Sequence, residues 1–153
     1  MSVLEGKKIL LGVTGSIAAY KSIILLRLLK REGADVQVIF SDSANNFVTQ
    51  LTFSTLSEKK VLTDFFEDDD KVEWVNHVEL AEWADYMIIA PITSSTLSKL
   101  VTGNADNLLV ATYMSTVCDV FFAPAMDLEM YNCESTKINI KSLVERGNIF
   151  IKP

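Results

Sequence analysis

Four short runs of this chain are almost wholly apolar: residues 8–13 (KILLGV), 36–40 (VQVIF), 86–90 (YMIIA) and 120–123 (VFFA). A strand with one wet face alternates apolar and polar residues. A strand that is apolar at nearly every position must be covered on both faces. These runs are too short for core helices and suit buried strands. Residues 148–151 (NIFI) make a candidate fifth.

Longer segments with helical patterning separate the runs. The first spans 16–32 and stops at Gly33, a residue suited to the left-handed turn that ends helices. Its apolar positions 17–19, 23–26 and 28–29 leave only a narrow polar strip near Arg27, Lys30 and Arg31. Such a helix is expected to bury a second face, against a neighbouring helix or another subunit. Further helices are expected over 93–102, 107–114 and 135–146, the last stopped by Gly147. Strand–helix alternation predicts right-handed βαβ units. The fold class is therefore α/β, a three-layer Rossmann-like/flavodoxin-like parallel sheet with helices on both faces. With 153 residues and no repeat or linker, a single domain over 1–153 is expected.

Hydrophobic residues at 49% and charged residues at 22% rule out global disorder. A net charge of −6 argues against a nucleic-acid surface, which needs clustered Lys and Arg. It does not argue against small anions, which backbone N–H groups can bind. No stretch approaches the ~20 apolar residues of a membrane span. The first residues carry no secretory signal, and Cys118 and Cys133 have no metal or redox spacing, so a reducing cytoplasmic setting is expected. Cys118, just before an apolar strand, is expected to be a buried thiol. The acidic run at 65–71 (FFEDDDK) reads as a solvated loop.

Open parallel sheets bind ligands beyond the carboxyl ends of their strands. Here those ends run into GVTGSI at 12–17, SDS at 41–43, APITSST at 90–96 and APAMD at 123–127. In the first loop a glycine lets backbone approach a ligand, and the helix start offers unpaired N–H groups and a positive dipole end. That describes a phosphate site, although neither G-x-x-x-x-G-K-[ST] nor G-x-G-x-x-G is present. A tight turn without a ligand is the competing reading. In the third loop Thr93, Ser94, Ser95 and Thr96 supply four hydroxyls where an N-cap needs one, which points to a polar ligand. His77 is the only histidine. A lone histidine is more often structural, yet imidazole is the side chain best suited to move protons near neutral pH.

Five segments together resemble the homo-oligomeric flavin-containing cysteine decarboxylases. They are GSIAAYK at 15–21, HVELAEWAD at 77–85, APITSSTLSK at 90–99, GNADNLL at 103–109 and PAMDLEMY at 124–131. The branch most resembled is the decarboxylase domain of the bifunctional coenzyme A biosynthesis flavoproteins. That domain converts 4′-phosphopantothenoylcysteine to 4′-phosphopantetheine. The resemblance implies FMN as cofactor, held by Gly15, Ser16 and Ile17, by Ser41 and Ser43, by Thr93, Ser94, Ser95 and Thr96, and by Ala125. It implies His77 as the catalytic histidine and Asp127 at the substrate-binding position. It implies no metal, and a homotrimer or dodecamer with the flavin at a subunit interface. In the implied chemistry FMN oxidises the cysteine thiol, and the thioaldehyde accepts the electrons released with CO₂. The resulting enethiolate is then reduced as the flavin returns to its oxidised form.

Three features depart from the family pattern. Asp127 stands where the family has asparagine, and an ionised carboxylate there opposes a substrate carboxylate. Ser94-Ser95 replaces Ala-Asn. The family's Gly-rich flap with its reductive cysteine would follow Pro153. The chain is therefore expected to be part of a longer polypeptide, able to bind FMN and to stall after the first half-reaction. Two other readings fit the pattern: a non-catalytic FMN carrier of the same fold, and a peptide cysteine decarboxylase.

Overall fold

The computed structural model describes residues 2–68 and 71–153. Its centre is a five-stranded, all-parallel sheet in the order β2-β1-β5-β6-β7. The strands are β1 (Lys8–Val13), β2 (Asp35–Phe40), β5 (Tyr86–Ile92), β6 (Asp119–Pro124) and β7 (Ile149–Phe150). All five expected strands are present, and β5 runs two residues past its predicted end. The order reverses at β1: the chain moves outward to β2, then crosses back to place β5 on the other side. Ligands of open parallel sheets bind at such a switch point.

The helices are α1 (Tyr20–Arg31), α2 (Gln50–Ser57), α3 (His77–Trp83), α4 (Ser94–Thr102), α5 (Leu108–Ser115), α6 (Leu128–Asn132) and α7 (Glu134–Glu145). Gly33 and Gly147 follow α1 and α7 with φ of +88° and +97°, the left-handed turn their positions predicted. The segment predicted as one helix from residue 16 is divided. A 3₁₀ turn at Ile17–Ala19 precedes α1, because the Ser16 hydroxyl accepts from Ala18 N and tightens the start.

Alternate strand residues feed two cores. Leu10, Met87, Ile89, Val120 and Phe122 pack with Ala84, Leu97, Leu100, Leu108–Val110 and Leu143 from α4, α5, α7 and the link after α3. Ile9, Leu11, Val36 and Val38 pack with Leu26, Leu29 and Phe53 from α1 and α2. Helices thus lie on both faces, but unevenly. On the α1–α2 side, Tyr86, Ile88 and Phe121 stay half-buried. The second face expected of α1 also stays open: Tyr20, Ile24 and Leu28 are 55%, 56% and 48% exposed.

The acidic segment differs from expectation. Its flanks form an antiparallel ribbon of β3 (Phe66–Asp68) and β4 (Lys71–Trp74), with Phe66 opposite Trp74. Asp69 and Asp70, in the middle of the predicted loop, lie outside the described residues. The aromatic residues flanking the charges account for the pairing, since facing rings stabilise a two-stranded register. Cys118 is partly exposed rather than buried. It lines a cavity of about 580 Å³ at the amino edge of the sheet, with its Sγ 3.2 Å from the Thr116 hydroxyl.

Candidate functional site

The four carboxyl-end loops come together through their own backbones. Ser41 N donates to Val13 O at 3.0 Å, and Ala125 N to Ile92 O at 3.2 Å. The tie between β1 and β5 is a side chain that the sequence reading missed. Thr14 is fully buried, and its hydroxyl donates to Pro91 O at 2.7 Å and accepts from Thr93 N at 3.0 Å. Ser22, nearly buried on α1, similarly donates its hydroxyl to Ala90 O. In both cases the only sequence signal is a small hydroxyl residue inside an apolar stretch.

The first loop has the features of an anion cradle. The N–H groups of Gly15, Ser16 and Ile17 donate to no described residue, leaving three consecutive backbone donors open. Successive open N–H groups near a helix start favour bound negative charge. Gly15 lies so close to the second loop that a Cβ there would collide with the Ser43 hydroxyl and Cβ, and would lie 2.9 Å from the Ser43 carbonyl carbon. Ser41 and Ser43 face each other, with hydroxyls 3.3 Å apart. Ile17 is 81% exposed at this edge, an apolar surface beside the open donors.

Of the four hydroxyls in the third loop, two serve the fold. Thr93 caps α4 by accepting from Thr96 N at 3.2 Å, and its hydroxyl donates to that of Thr96, also at 3.2 Å. Ser94 is half-buried and Ser95 exposed, and neither hydroxyl bonds another described residue. The surplus beyond one cap is therefore real. Asp106 and Asn107, just beyond α4, hold that helix against α5. Lys99 Nζ bonds the Asp106 carboxylate at 3.0 Å, which with help from Asn107 holds that group below the usual carboxylate range.

Asp127 is the N-cap of α6: its Oδ1 accepts from Met130 N at 2.8 Å. One carboxylate oxygen thus has a structural role, and the side chain remains exposed. Asparagine would cap as well.

His77 is the first residue of α3, behind an Asn76 cap that accepts from Val78 N and Glu79 N. Its Nδ1 is sealed from water and has no hydrogen-bond partner among the described residues. Such a group costs roughly 1–3 kcal/mol. Its ring neighbours are Phe65 and Trp74. No hydrogen bond among the described residues links His77 to the four loops. The structure therefore brings together Gly15, Ser16, Ile17, Ser41, Ser43, Thr93–Thr96 and Ala125, and leaves His77 on a separate element.

A parallel sheet with open backbone donors at its switch point is the arrangement of proteins that hold phosphate-bearing ligands. The Flavoprotein family matches residues 2–153, and the chain belongs to that family. The bifunctional coenzyme A biosynthesis protein CoaBC of Bacillus subtilis (strain 168) is 40% identical over 151 residues. That alignment takes in 99% of this chain and 37% of the relative, so the chain spans little more than a third of it. Among solved structures, a mutant PPC decarboxylase complexed with pantothenoylaminoethenethiol superimposes with a TM-score of 0.80 at 31% identity, covering 96% of this chain and 82% of that one. The FMN-dependent cysteine decarboxylase SpaF gives 0.87 at 25%, covering 99% and 85%. The family resemblance read from the five segments is borne out.

The Thr14 bridge yields a stability prediction. Thr14→Val keeps the shape but strands the N–H of Thr93, and should cost about 1–3 kcal/mol. For a chain this size that lowers the melting temperature by roughly 3–10 °C, whereas Thr14→Ser should stay near the wild-type value in calorimetry.

Proposed function

We propose that this chain binds FMN at the carboxyl edge of its sheet and serves, as part of a longer polypeptide, the decarboxylation of 4′-phosphopantothenoylcysteine to 4′-phosphopantetheine. The observation that carries the reading is the open N–H run at Gly15, Ser16 and Ile17, pressed against Ser43 where no Cβ fits. These donors suit the FMN phosphate. The free hydroxyls of Ser94 and Ser95 and the backbone of Ala125 suit the polar edge of the flavin. Family membership and the likeness to PPC decarboxylase support the choice of substrate. A cytoplasmic setting goes with this reading, and no helix among the described residues is long and apolar enough to cross a membrane.

FMN, when bound, supplies the two-electron oxidation of the thiol to a thioaldehyde, the electron sink that lets CO₂ leave. The protein's part is to position and to move protons. His77 would accept the thiol proton when FMN is bound. Asp127, at the position that would face the substrate carboxylate, would oppose its charge, and the capping oxygen would not relieve this.

A second copy of this chain completes the site. Ile17, Tyr20, Ile24 and Leu28 recur at helical spacing, all exposed, and Tyr86, Ile88 and Phe121 on the same side of the sheet stay half-buried. One chain leaves this apolar surface open, and a homotrimer or an assembly of trimers would cover it.

The anaerobic visible spectrum tests the central reading. A protein-bound flavin band should form with added FMN and bleach on addition of 4′-phosphopantothenoylcysteine. A bound flavin that stays oxidised would favour the non-catalytic carrier, and no bound flavin would end both readings. For Asp127→Asn, removal of one like charge worth about 1 kcal/mol predicts roughly fivefold tighter substrate binding. The melting temperature should not change, because the cap is kept. Sedimentation should show an oligomer at micromolar concentration, and a monomer there would remove the shared site.

A further inference from the structure

Resting on the reading of His77 as the acid–base group, we infer that Phe65 and Trp74 are its positioning residues, orienting the imidazole by edge-to-face packing in place of a hydrogen bond at Nδ1. Histidines that move protons are usually held through their second nitrogen by a carboxylate or carbonyl, which fixes both ring orientation and tautomer. His77 lacks that anchor, since its Nδ1 is buried without a partner among the described residues. Aromatic rings surround it instead. The Phe65 ring lies 5.9 Å from the imidazole at 83°, and the Trp74 ring 6.3 Å away at 70°. Near-perpendicular contact at these distances is the arrangement that ring quadrupoles favour.

The two rings act as one surface. Phe65 and Trp74 stack on each other at 5.6 Å and 14°, and Phe66 braces the indole from its edge at 5.5 Å and 72°. The backbone fixes this slab to the helix start. Val75 N donates to Phe65 O at 2.6 Å, and Phe66 pairs with Trp74 across the β3–β4 ribbon. Asn76 fixes the other end by capping α3 on Val78 N and Glu79 N. The cap sets where the His77 side chain leaves the helix, and the slab sets how its ring is turned. Trp74 remains 54% exposed, so its indole serves these ring contacts more than the core. The ribbon built from the acidic segment thereby serves His77.

His77 is the only histidine, so its imidazole signals in a ¹H–¹⁵N spectrum are unambiguous. In the protein without FMN, the Hδ2 and Hε1 shifts should be displaced from free-histidine values by the neighbouring ring currents. Trp74→Leu should collapse that displacement, and Trp74→Phe should keep most of it. With FMN bound, Trp74→Leu should slow anaerobic bleaching by 4′-phosphopantothenoylcysteine about tenfold, as small misplacements of catalytic groups do. The affinities for FMN and substrate should hold, and Trp74→Phe should restore the rate to within about twofold. Unchanged imidazole shifts in Trp74→Leu would overturn the clamp, and this readout works whether or not the flavin bleaches. His77→Gln separates the two claims. If it stops bleaching while Trp74→Leu bleaches normally, only the clamp is lost. If it bleaches at the wild-type rate, the acid–base role falls instead.

Discussion

The hydroxyl of Thr14 joins the two strands between which the chain reverses its direction of travel across the sheet. It accepts from Thr93 N and donates to Pro91 O, so the first loop and the start of α4 are fixed to each other inside the core. A parallel sheet hydrogen-bonds its strands but does little for the loops that leave them. At the switch point between β1 and β5 those loops diverge, and a buried side chain is needed to hold them in register. The open donors of Gly15, Ser16 and Ile17 keep their direction because the residue before them cannot move. The cap at Thr93 is placed by the same bond.

Much of the scaffold was legible because burial on two faces leaves a strong mark. Four strands read as nearly unbroken apolar runs and the fifth as a candidate, and Gly33 and Gly147 ended their helices where expected. The carboxyl-end loops were also legible, since small polar residues and glycine gather there for reasons of backbone access. What stayed hidden depends on partners distant in sequence. Thr14 finds its acceptor 77 residues away, and no local pattern announces such a pair. The ribbon was hidden for the opposite reason: its charges read as a loop, while the pairing comes from Phe66 and Trp74 at its ends. The hydroxyls at 93–96 exceed what one cap needs, but only the structure shows that Thr93 and Thr96 are used by the fold and Ser94 and Ser95 are not.

Asp127 shows how one side chain can answer to two constraints. As an N-cap it is as good as asparagine, and nothing in the fold selects between them. Under the proposed function, the difference is the charge on the second oxygen, which bears only on what arrives at the site. The departure from the family pattern would then be silent for stability and concentrated on recognition.

The contact between Gly15 and Ser43 makes two positions on different loops into one thermodynamic unit. Any side chain at 15 displaces the second loop, so its cost depends on what stands at 43. Ser43→Gly would clear the hydroxyl and Cβ from the path of a new methyl group, yet the carbonyl carbon at 2.9 Å would still obstruct it. Changes at the two sites will therefore couple rather than add, and the rescue will be partial. A lineage in which residue 43 drifts is consequently not free to enlarge residue 15, because what limits it is the neighbouring main chain.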